Sequence, residues 1–336
     1  MKKLVRFGDI HFSALNTWNI EAGERFLKWF EKEDFGDKQD LELCLAGDIS
    51  EKDTNPGIVI DQMIRFFNLC KQKFSKTYVC LGNHDRKLYH GEEQHNCMFL
   101  KNDKDICIIE QETALTTPNG FEVLFLPHKK VENFVSLSKY YTDKAQELMS
   151  LSKNGIYDTI VGHFQIKSNT GKFSFLEGVD ISKYKTHSWS IGHIHIRIDE
   201  KYLGSVWPNN VDEQNTKLPR GYKVLDENKV DTHVCIPTDF LEYKTIKFGQ
   251  DLESDGNVVY TIEDAPSVKE AEEKYNSFNV RQISHMSQVS VDTDAEIEKS
   301  SLLDVQRDYK KLFDDMIREL NIDVSRSIYA YIQTLF

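Results

Sequence analysis

The sequence lacks any long apolar stretch. No run of about 18 apolar residues occurs among its 336 residues, so we expect no transmembrane helix. The opening segment, residues 1–6, has neither the apolar centre nor the small-residue cleavage site of a signal peptide. We therefore expect a cytoplasmic protein that binds no membrane.

Paired cysteines and an excess of positive charge are also lacking. None of the six cysteines forms a C-x-x-C pair, and Cys44, Cys80 and Cys107 lie within apolar runs typical of strands. This pattern predicts reduced cysteines that pack as small hydrophobic residues. The 42 Lys and Arg against 54 Asp and Glu give a net charge of −12. Because phosphate binding depends on Lys and Arg, this balance argues against a protein that grips nucleic acid unaided.

Short apolar strands alternate with helical stretches up to about residue 235. Because open α/β folds place their chemistry in loops at strand ends, glycine turns that follow such strands are candidate site loops. The alternation predicts an α/β (α+β) fold, a layered sandwich of β-sheets with helices outside. Five predicted strands run directly into a glycine turn: Leu4–Phe7, Leu41–Ala46, Tyr78–Leu81, Thr159–Val161 and Trp189–Ile191. The main predicted helices cover about Glu21–Glu33, Gly57–Phe74 and Asp143–Leu151.

Changes of pattern divide the chain into four segments. Residues 1–237 carry the glycine turns, and residues 238–284 form a small mixed unit without them. Residues 285–299 are polar and indicate a linker, and residues 300–336 contain an amphipathic helix followed by a second, short helix. Such helices usually pack on their own domain, but the linker and the large apolar face favour partner binding here. The candidate partner-binding residues are Tyr309, Phe313, Met316, Ile328 and Ile332.

Five short segments rich in metal-binding side chains occur in a fixed order. Each follows a predicted strand. One such segment alone carries little information, because Asn and Asp are common in turns, but the ordered set is hard to produce by chance. The segments are Gly8-Asp9-Ile10-His11, Gly47-Asp48, Gly82-Asn83-His84-Asp85, Gly162-His163 and Gly192-His193-Ile194-His195.

The spacing within these segments favours a site for two metal ions. Asp9 and His11 are two residues apart on extended backbone, so their side chains point to one side, and the same holds for His193 and His195. Asp48 is the natural bridge, because one carboxylate can hold two cations about 3.5–4 Å apart. The mixture of nitrogen and oxygen ligands suits Mn²⁺, Fe²⁺ or Zn²⁺ better than Mg²⁺ or Ca²⁺. We expect two divalent ions, with Mn²⁺ preferred.

Two further residues are candidate catalytic groups. Paired metals polarise a phosphoryl group and lower the pKa of a water between them, so the site predicts phosphoester hydrolysis. The leaving alkoxide needs a proton, and His84 lies beside the predicted ligand Asn83. Asp85 is predicted to orient the His84 imidazole, as the carboxylate of a catalytic triad does.

The ordered motifs over roughly residues 4–205 resemble the calcineurin-like metallophosphoesterase superfamily. The resemblance implies a four-layer β-sandwich flanked by helices, with His84 in a catalytic role. It also implies the division of the ligands. One metal is expected on Asp9, His11, Asp48 and His195, and the other on Asp48, Asn83, His163 and His193.

Within that superfamily the chain looks like the SbcD-type nuclease subunits of double-strand-break processing complexes, above all their phage versions. The second motif lacks the Arg-Gly pair that protein phosphatases carry after it. The fifth motif is followed by residues 202–205 and by Trp207-Pro208, similar to the Gly-Ser/Thr-Pro loop of the nucleases. Two positions depart from the pattern: Glu51 replaces a frequent histidine, and Val206 replaces a frequent proline. The first departure leaves the balance of exonuclease and endonuclease action open.

The resemblance implies DNA and protein partners. It predicts a Mn²⁺-dependent DNA nuclease subunit that acts on double-stranded DNA ends in recombination, in the host cytoplasm if it is phage-encoded. The expected partner is an SbcC-type coiled-coil ATPase, bound by a homodimer within a heterotetramer, with residues 238–284 as a capping, DNA-binding unit. Candidate contacts to DNA phosphates are Arg86, Lys87, Lys129, Lys130 and Arg220.

Two alternatives remain open from the sequence. The same metals would serve a small-molecule phosphodiesterase or phosphatase, in which the C-terminal helices pack on the body and no ATPase is needed. A scaffold with a decayed metal site is the other alternative. The intact set of ligand residues argues against it, because no motif position carries a disabling residue.

Overall fold

A computed structural model describes most of the chain up to residue 285. The described ranges are 1–52, 54–89, 92–129, 136–167, 178–209, 213–214, 218–252 and 257–285. They lie within one compact unit, Met1–Met286. The predicted linker beyond residue 285 and the segment 300–336 lie outside these ranges, as do the candidate partner residues Tyr309, Phe313, Met316, Ile328 and Ile332. Among the described helices none is long and apolar enough to span a bilayer.

The larger of two stacked sheets has six strands in the order β12-β11-β1-β2-β3-β6. The neighbours from β1 to β6 are parallel, whereas β11 is antiparallel to both β1 and β12. The parallel pairing brings the carboxyl ends of β1, β2 and β3 to one edge. The strands are β1 (Lys3–Phe7), β2 (Leu41–Leu45), β3 (Lys76–Cys80), β6 (Ile106–Ile109), β11 (Gly221–Asp226) and β12 (Asp231–Cys235).

The second sheet has four strands in the order β10-β9-β8-β7. Its strands β8, β9 and β10 are parallel, and β7 pairs antiparallel with β8. The last residues of β9 and β10 are His163 and Gly192, so both strands end in predicted site motifs. The strands are β7 (Thr113–Thr116), β8 (Glu122–Leu126), β9 (Tyr157–His163) and β10 (Thr186–Gly192).

Alternation along the strands of the two stacked sheets divides their apolar residues into three cores. On β1, Leu4 packs between the two sheets, whereas Val5 and Phe7 pack against α1 (Thr17–Lys32) and α2 (Gly57–Lys73). On β8, Val123 and Phe125 face the first sheet. Leu124 and Leu126 on the same strand join a core with α3 (Leu137–Ser150). Successive strand residues point to opposite faces, so the result is helices, sheet, sheet and helix, as predicted.

A three-stranded sheet, a hairpin and short 3-10 helices complete the described unit. Strands β13 (Glu242–Lys247), β14 (Val258–Ala265) and β15 (Asn279–His285) form a parallel sheet with α4 (Val268–Lys274). This unit covers the predicted segment 238–284 and extends one residue into the predicted linker. Strands β4 (Arg86–Tyr89) and β5 (Glu92–His95) pair antiparallel directly after the third motif. Short 3-10 helices cover Lys38–Asp40, Met98–Leu100 and Ile181–Lys183.

Candidate metal centre

Four ligand candidates from three motifs converge at the carboxyl edge of the sheets. Asp9, His11, Asp48 and His195 each place one ligand atom within 4.8 Å of the others. The first three are fully or almost fully buried, and His195 is partly exposed. His11 Nε2 is the nitrogen that faces inward, 3.7 Å from Asp48 Oδ2 and 4.0 Å from Asp9 Oδ1. The structure thus brings together the residues predicted for the first metal.

The residues predicted for the second metal also converge. His163 Nε2 lies 2.9 Å from Asn83 Oδ1 and 3.1 Å from Asp48 Oδ2. His193 Nδ1 lies 3.0 Å from the same amide oxygen. Asp48 Oδ2 therefore stands between His163 of this group and His11 of the first group, the place that a bridging carboxylate must occupy.

The backbone at the motifs is held in an uncommon conformation. His11, Asp48 and His193 have φ angles of 56°, 51° and 82°, in the left-handed region that residues other than glycine rarely adopt. Such strain persists only where the surroundings enforce it, and it concentrates at functional sites. Position 82 requires glycine, because a Cβ there would lie 2.1 Å from Asp48 Oδ1. The glycine leaves space for the bridging carboxylate.

His84 is positioned by the second motif. Its backbone N–H donates to Asp48 Oδ1 at 2.9 Å, and its Nδ1 lies 2.6 Å from the carbonyl oxygen of Glu51. A carbonyl can only accept, so Nδ1 carries the proton and Nε2 is left to exchange one. The ring packs edge-on to His11 at a centroid distance of 5.3 Å. This placement fits the predicted role of proton donor.

The predicted role of Asp85 is wrong. Its carboxylate does not orient His84 but accepts backbone N–H groups from Asp48, Ile49 and Gly82 at 2.8–2.9 Å. Burial and the neighbouring Asp48 carboxylate raise the pKa of Asp85. Asp85 therefore fixes the loop that presents Asp48, whereas the Glu51 carbonyl orients the imidazole.

Two glutamates that the sequence did not assign to the site contact ligand histidines. Glu51 Oε2 lies 2.8 Å from His11 Nδ1, and Glu213 Oε1 lies 2.9 Å from His195 Nδ1. The sequence marked Glu51 only as the residue that replaces a frequent histidine of the nuclease pattern. Glu213 follows no motif, and its contact spans 18 residues, so no local signal could have revealed it.

The metal-free cluster holds protons that a cation would displace. Burial alone would lower the pKa of His11, but the carboxylates of Glu51, Asp48 and Asp9 outweigh it and raise the pKa to about 9. The pKa of His163 also rises to about 9, because Asp48 and Asp9 outweigh burial. Burial and the nearby charge of His163 lower the pKa of His193 to about 4. Burial opposes ionisation of Asp48, yet His163, His11 and His84 hold its pKa well below the usual range.

The cluster fits divalent metal ions. Asp9 Oδ2 and His11 Nε2 are buried and make no hydrogen bond to the described residues. Unpartnered buried polar atoms are costly, so their convergence at one point needs an explanation, and a bound cation supplies it. His163 Nδ1 lies 2.7 Å from the carbonyl of Ala46, which turns Nε2 toward the centre. Imidazole, carboxylate and amide donors together suit a borderline divalent ion.

Comparison with known proteins agrees with this chemistry. A model of the calcineurin-like phosphoesterase family matches residues 2–197, more than half of the chain. The chain belongs to that family. No curated protein matches it.

Among solved structures, the phosphoesterase is similar to a phosphopantetheinyl hydrolase from Mycobacterium tuberculosis and to a protein of unknown function from Aquifex aeolicus. The first has 13% identity and a TM-score of 0.36, over 58% of this chain and 83% of that one. The second has 14% identity and a TM-score of 0.30, over 55% and 88%. Such distant likenesses carry no information on the substrate.

Arg220 and Lys129, two of the side chains predicted to contact DNA phosphates, bind other residues of the protein instead. Arg220 is only 6% exposed and donates to the backbone carbonyls of His195, Ser205 and Glu213, so the prediction that it contacts DNA phosphates is wrong. Lys129 Nζ lies 3.0 Å from Glu112 Oε2 and 3.2 Å from the Tyr140 hydroxyl.

Two of the remaining candidates also bind other residues of the protein. Arg86 donates to the carbonyl of Glu110, and Lys87 donates to the Thr54 hydroxyl at 2.5 Å. Both side chains are half-buried on β4 beside the third motif. Lys130 lies outside the described residues.

The loop after the fifth motif packs on the first motif. The backbone N–H of Val206 donates to the Asp9 carbonyl at 3.2 Å, and Ser205 N–H donates to the His195 carbonyl at 3.0 Å. A Cβ on Gly8 would lie 2.4 Å from the Gly204 carbonyl oxygen. Glycine at position 8 therefore permits the close approach that joins the first and fifth motifs.

Proposed function

We propose that the chain is the nuclease subunit of a DNA double-strand-break processing complex. It hydrolyses phosphodiester bonds in double-stranded DNA with two divalent metal ions, Mn²⁺ first among them, and works with an SbcC-type coiled-coil ATPase. The observation that carries the proposal is the position of Asp48 Oδ2, between the imidazoles of His11 and His163.

The residues divide into ligands and a proton donor. Asp9, His11, Asp48 and His195 would hold one ion, and Asp48, Asn83, His163 and His193 the other. When bound, the ions would polarise the phosphoryl group and make an attacking water more acidic. Water adds to phosphorus as the new hydroxyl group and releases its other proton, while the bond from phosphorus to the leaving oxygen breaks. His84 gives a proton from Nε2 to the leaving oxygen, and the proton released by the water restores it.

Two features of the chain support DNA as the substrate. The second motif lacks the Arg-Gly pair of protein phosphatases, and residues 202–208 resemble the loop of SbcD-type nucleases. In the structure this loop contacts the first metal motif, so it borders the place where a phosphodiester would bind. The net charge of −12 is consistent with a division of labour in which the ATPase supplies most of the positive charge.

A small-molecule phosphodiesterase is the second candidate. It is favoured by the internal engagement of Arg220 and Lys129, which leaves fewer cations to contact a DNA backbone. The same metals and the same proton donor would serve this reaction. Such an enzyme would reach full activity without an ATPase.

One experiment separates the two candidates. The purified protein and an Asp48→Asn control receive Mn²⁺ with end-labelled duplex DNA, small phosphodiesters and monoesters, each with and without the ATPase. The proposal expects release of the DNA label by the wild type and none by the variant or in EDTA. Turnover of small esters with intact DNA, even after the ATPase is added, would contradict it and favour the second candidate.

A further inference from the structure

The ligand histidines differ in what supports them. His11 and His195, of the group with Asp9, each have a carboxylate against the ring nitrogen that points away from the cluster. For His11 the carboxylate is that of Glu51, whose Oε2 lies at ion-pair distance, 2.8 Å, without hydrogen-bond alignment. For His195 it is that of Glu213, which forms a hydrogen bond at 2.9 Å. A carboxylate behind a histidine fixes its tautomer and makes the opposite nitrogen a stronger donor to a metal.

Both glutamates are themselves held in place. Glu213 is 8% exposed, and its second oxygen accepts the backbone N–H of Asn209 at 2.9 Å. Its carbonyl accepts from Arg220, which also binds the carbonyl of His195. The carbonyl of Glu51 accepts from His84 Nδ1 at 2.6 Å. These contacts fix the carboxylate of Glu213 and the backbone of Glu51 relative to their histidines.

The histidines of the other group have weaker support from carboxylates among the described residues. His163 Nδ1 lies 2.7 Å from the neutral carbonyl of Ala46, whereas Asp9 Oδ1 is farther away, at 3.8 Å. His193 Nδ1 faces Asn83, and the ring packs edge-on to His163 at a centroid distance of 5.2 Å. Here Asp48 is the only carboxylate in the ligand set, and it is shared. The first group has Asp9 as a further ligand, and it alone has the two glutamates at 2.8 and 2.9 Å from its histidines.

We infer that Glu51 and Glu213 are positioning residues that make the Asp9, His11, Asp48 and His195 position the tighter of the two metal positions. The Asn83, His163 and His193 position therefore fills second, and its occupancy limits activity at low metal concentration. The inference rests on the metal-binding part of the proposed function and is independent of the DNA substrate.

Each glutamate would be neutralised with little change of shape. Glu213→Gln keeps an oxygen for Asn209 N–H, and Glu51→Gln leaves the backbone carbonyl that binds His84 untouched. Glu112→Gln is a matched control, because it removes a half-buried carboxylate that pairs with Lys129 outside the cluster. Calorimetric titration of the metal-free protein with Mn²⁺ would give the affinities of the two ions. Electron paramagnetic resonance would distinguish a single ion from a coupled pair.

The expected result is a loss of about tenfold or more in the affinity of the tighter ion for each glutamate variant, with the weaker ion and the Glu112 control unchanged. Circular dichroism would verify that each variant is folded. Equal weakening of both ions, weakening of the second ion alone, or no change would overturn the inference.

A second pair of variants tests the assignment of the tight position without altering either glutamate. His193→Ala should keep one tightly bound ion, and His195→Ala should lose it. The reverse pattern would overturn the inference. Both titrations contain no nucleic acid, so a failure of the DNA nuclease proposal appears in a different experiment.

Discussion

Two clusters of buried charge lie against the same strands, and they differ in how their charge is balanced. The cluster at the motifs contains carboxylates and imidazoles, and its inward atoms Asp9 Oδ2 and His11 Nε2 have no hydrogen-bond partner among the described residues. The other is formed by Arg6, Lys223 and Asp231, where both cations form ion pairs with Asp231. Arg6 is fully buried, and it reaches from β1 to the hydroxyls of Ser188 and Ser190 on the second sheet.

The comparison shows how a structural cluster differs from a binding site. In the Arg6 cluster the protein supplies its own cations, and burial alone would raise the pKa of Asp231, but Arg6 and Lys223 lower it. In the motif cluster the protein supplies ligands and leaves the cation to come from solution. In the metal-free state, protons on His11 and His163, whose pKa values lie near 9, balance part of its negative charge. An excess of buried ligand groups over the protein's own cations, more than burial itself, marks the site.

The largest effect is expected at the shared ligand. Asp48→Asn should lower phosphodiester hydrolysis by on the order of 10³-fold, because both metals lose a ligand. The amide oxygen still accepts the His84 N–H, so far-ultraviolet circular dichroism should not change. Hydrolysis at saturating Mn²⁺ measures the effect. Activity within tenfold of the wild type would contradict the assignment of Asp48 as the bridge.

The opposite behaviour is expected in the structural cluster. Asp231→Asn leaves Arg6 and Lys223 without their counter-charge, and such a change typically costs about 3–5 kcal/mol of stability. Because the pKa of Asp231 is lowered by folding, its stabilising contribution is present above the unfolded pKa and is lost as pH falls through the folded pKa. Urea unfolding gives the cost. Hydrolysis per folded molecule should match the wild type, and a selective loss of activity would break the distinction between the clusters.

Metal binding should depend on pH in a defined direction. His11 and His163 hold protons below about pH 9 in the metal-free protein, and the ions must displace them. The apparent Mn²⁺ affinity should therefore rise between pH 7 and pH 9, by about tenfold per pH unit for each displaced proton, and then level off. Titration in buffers of different ionisation enthalpy counts the released protons. A flat profile would mean that the cation binds elsewhere.

The smallest effect is expected at Lys129. Its ammonium is already paired with Glu112, so Lys129→Gln should change duplex DNA affinity by less than about twofold and leave the salt dependence of binding unaltered. Fluorescence anisotropy with labelled duplex over a range of salt concentrations measures both. A decrease of about one in the salt slope would show that Lys129 leaves Glu112 to contact a phosphate.

The sequence was a good guide to the position of the motifs. Glycine turns after apolar strands predicted where Asp9, Asp48 and His163 lie, because parallel strands deliver their carboxyl ends to one edge. Helix boundaries were less accurate. The third helix was predicted over Asp143–Leu151 but covers Leu137–Ser150, although Ser136 caps it by accepting the Lys139 N–H.

Contacts between distant segments could not be predicted. The pairing of Glu213 with His195 depends on the path of the loop between them, and the burial of Arg220 depends on carbonyls from three separate positions. Charge in the sequence does not reveal which way a side chain faces. Asp85 was misassigned for the same reason, since its partners are backbone N–H groups that no motif records.

Anomalous diffraction from a crystal of the protein grown with Mn²⁺ tests the central claim most directly. Two peaks are expected on either side of the Asp48 carboxylate, one bonded to Asp9, His11 and His195 and the other to Asn83, His163 and His193. The absence of anomalous density at Asp48, with Mn²⁺ bound elsewhere or not at all, would contradict the account.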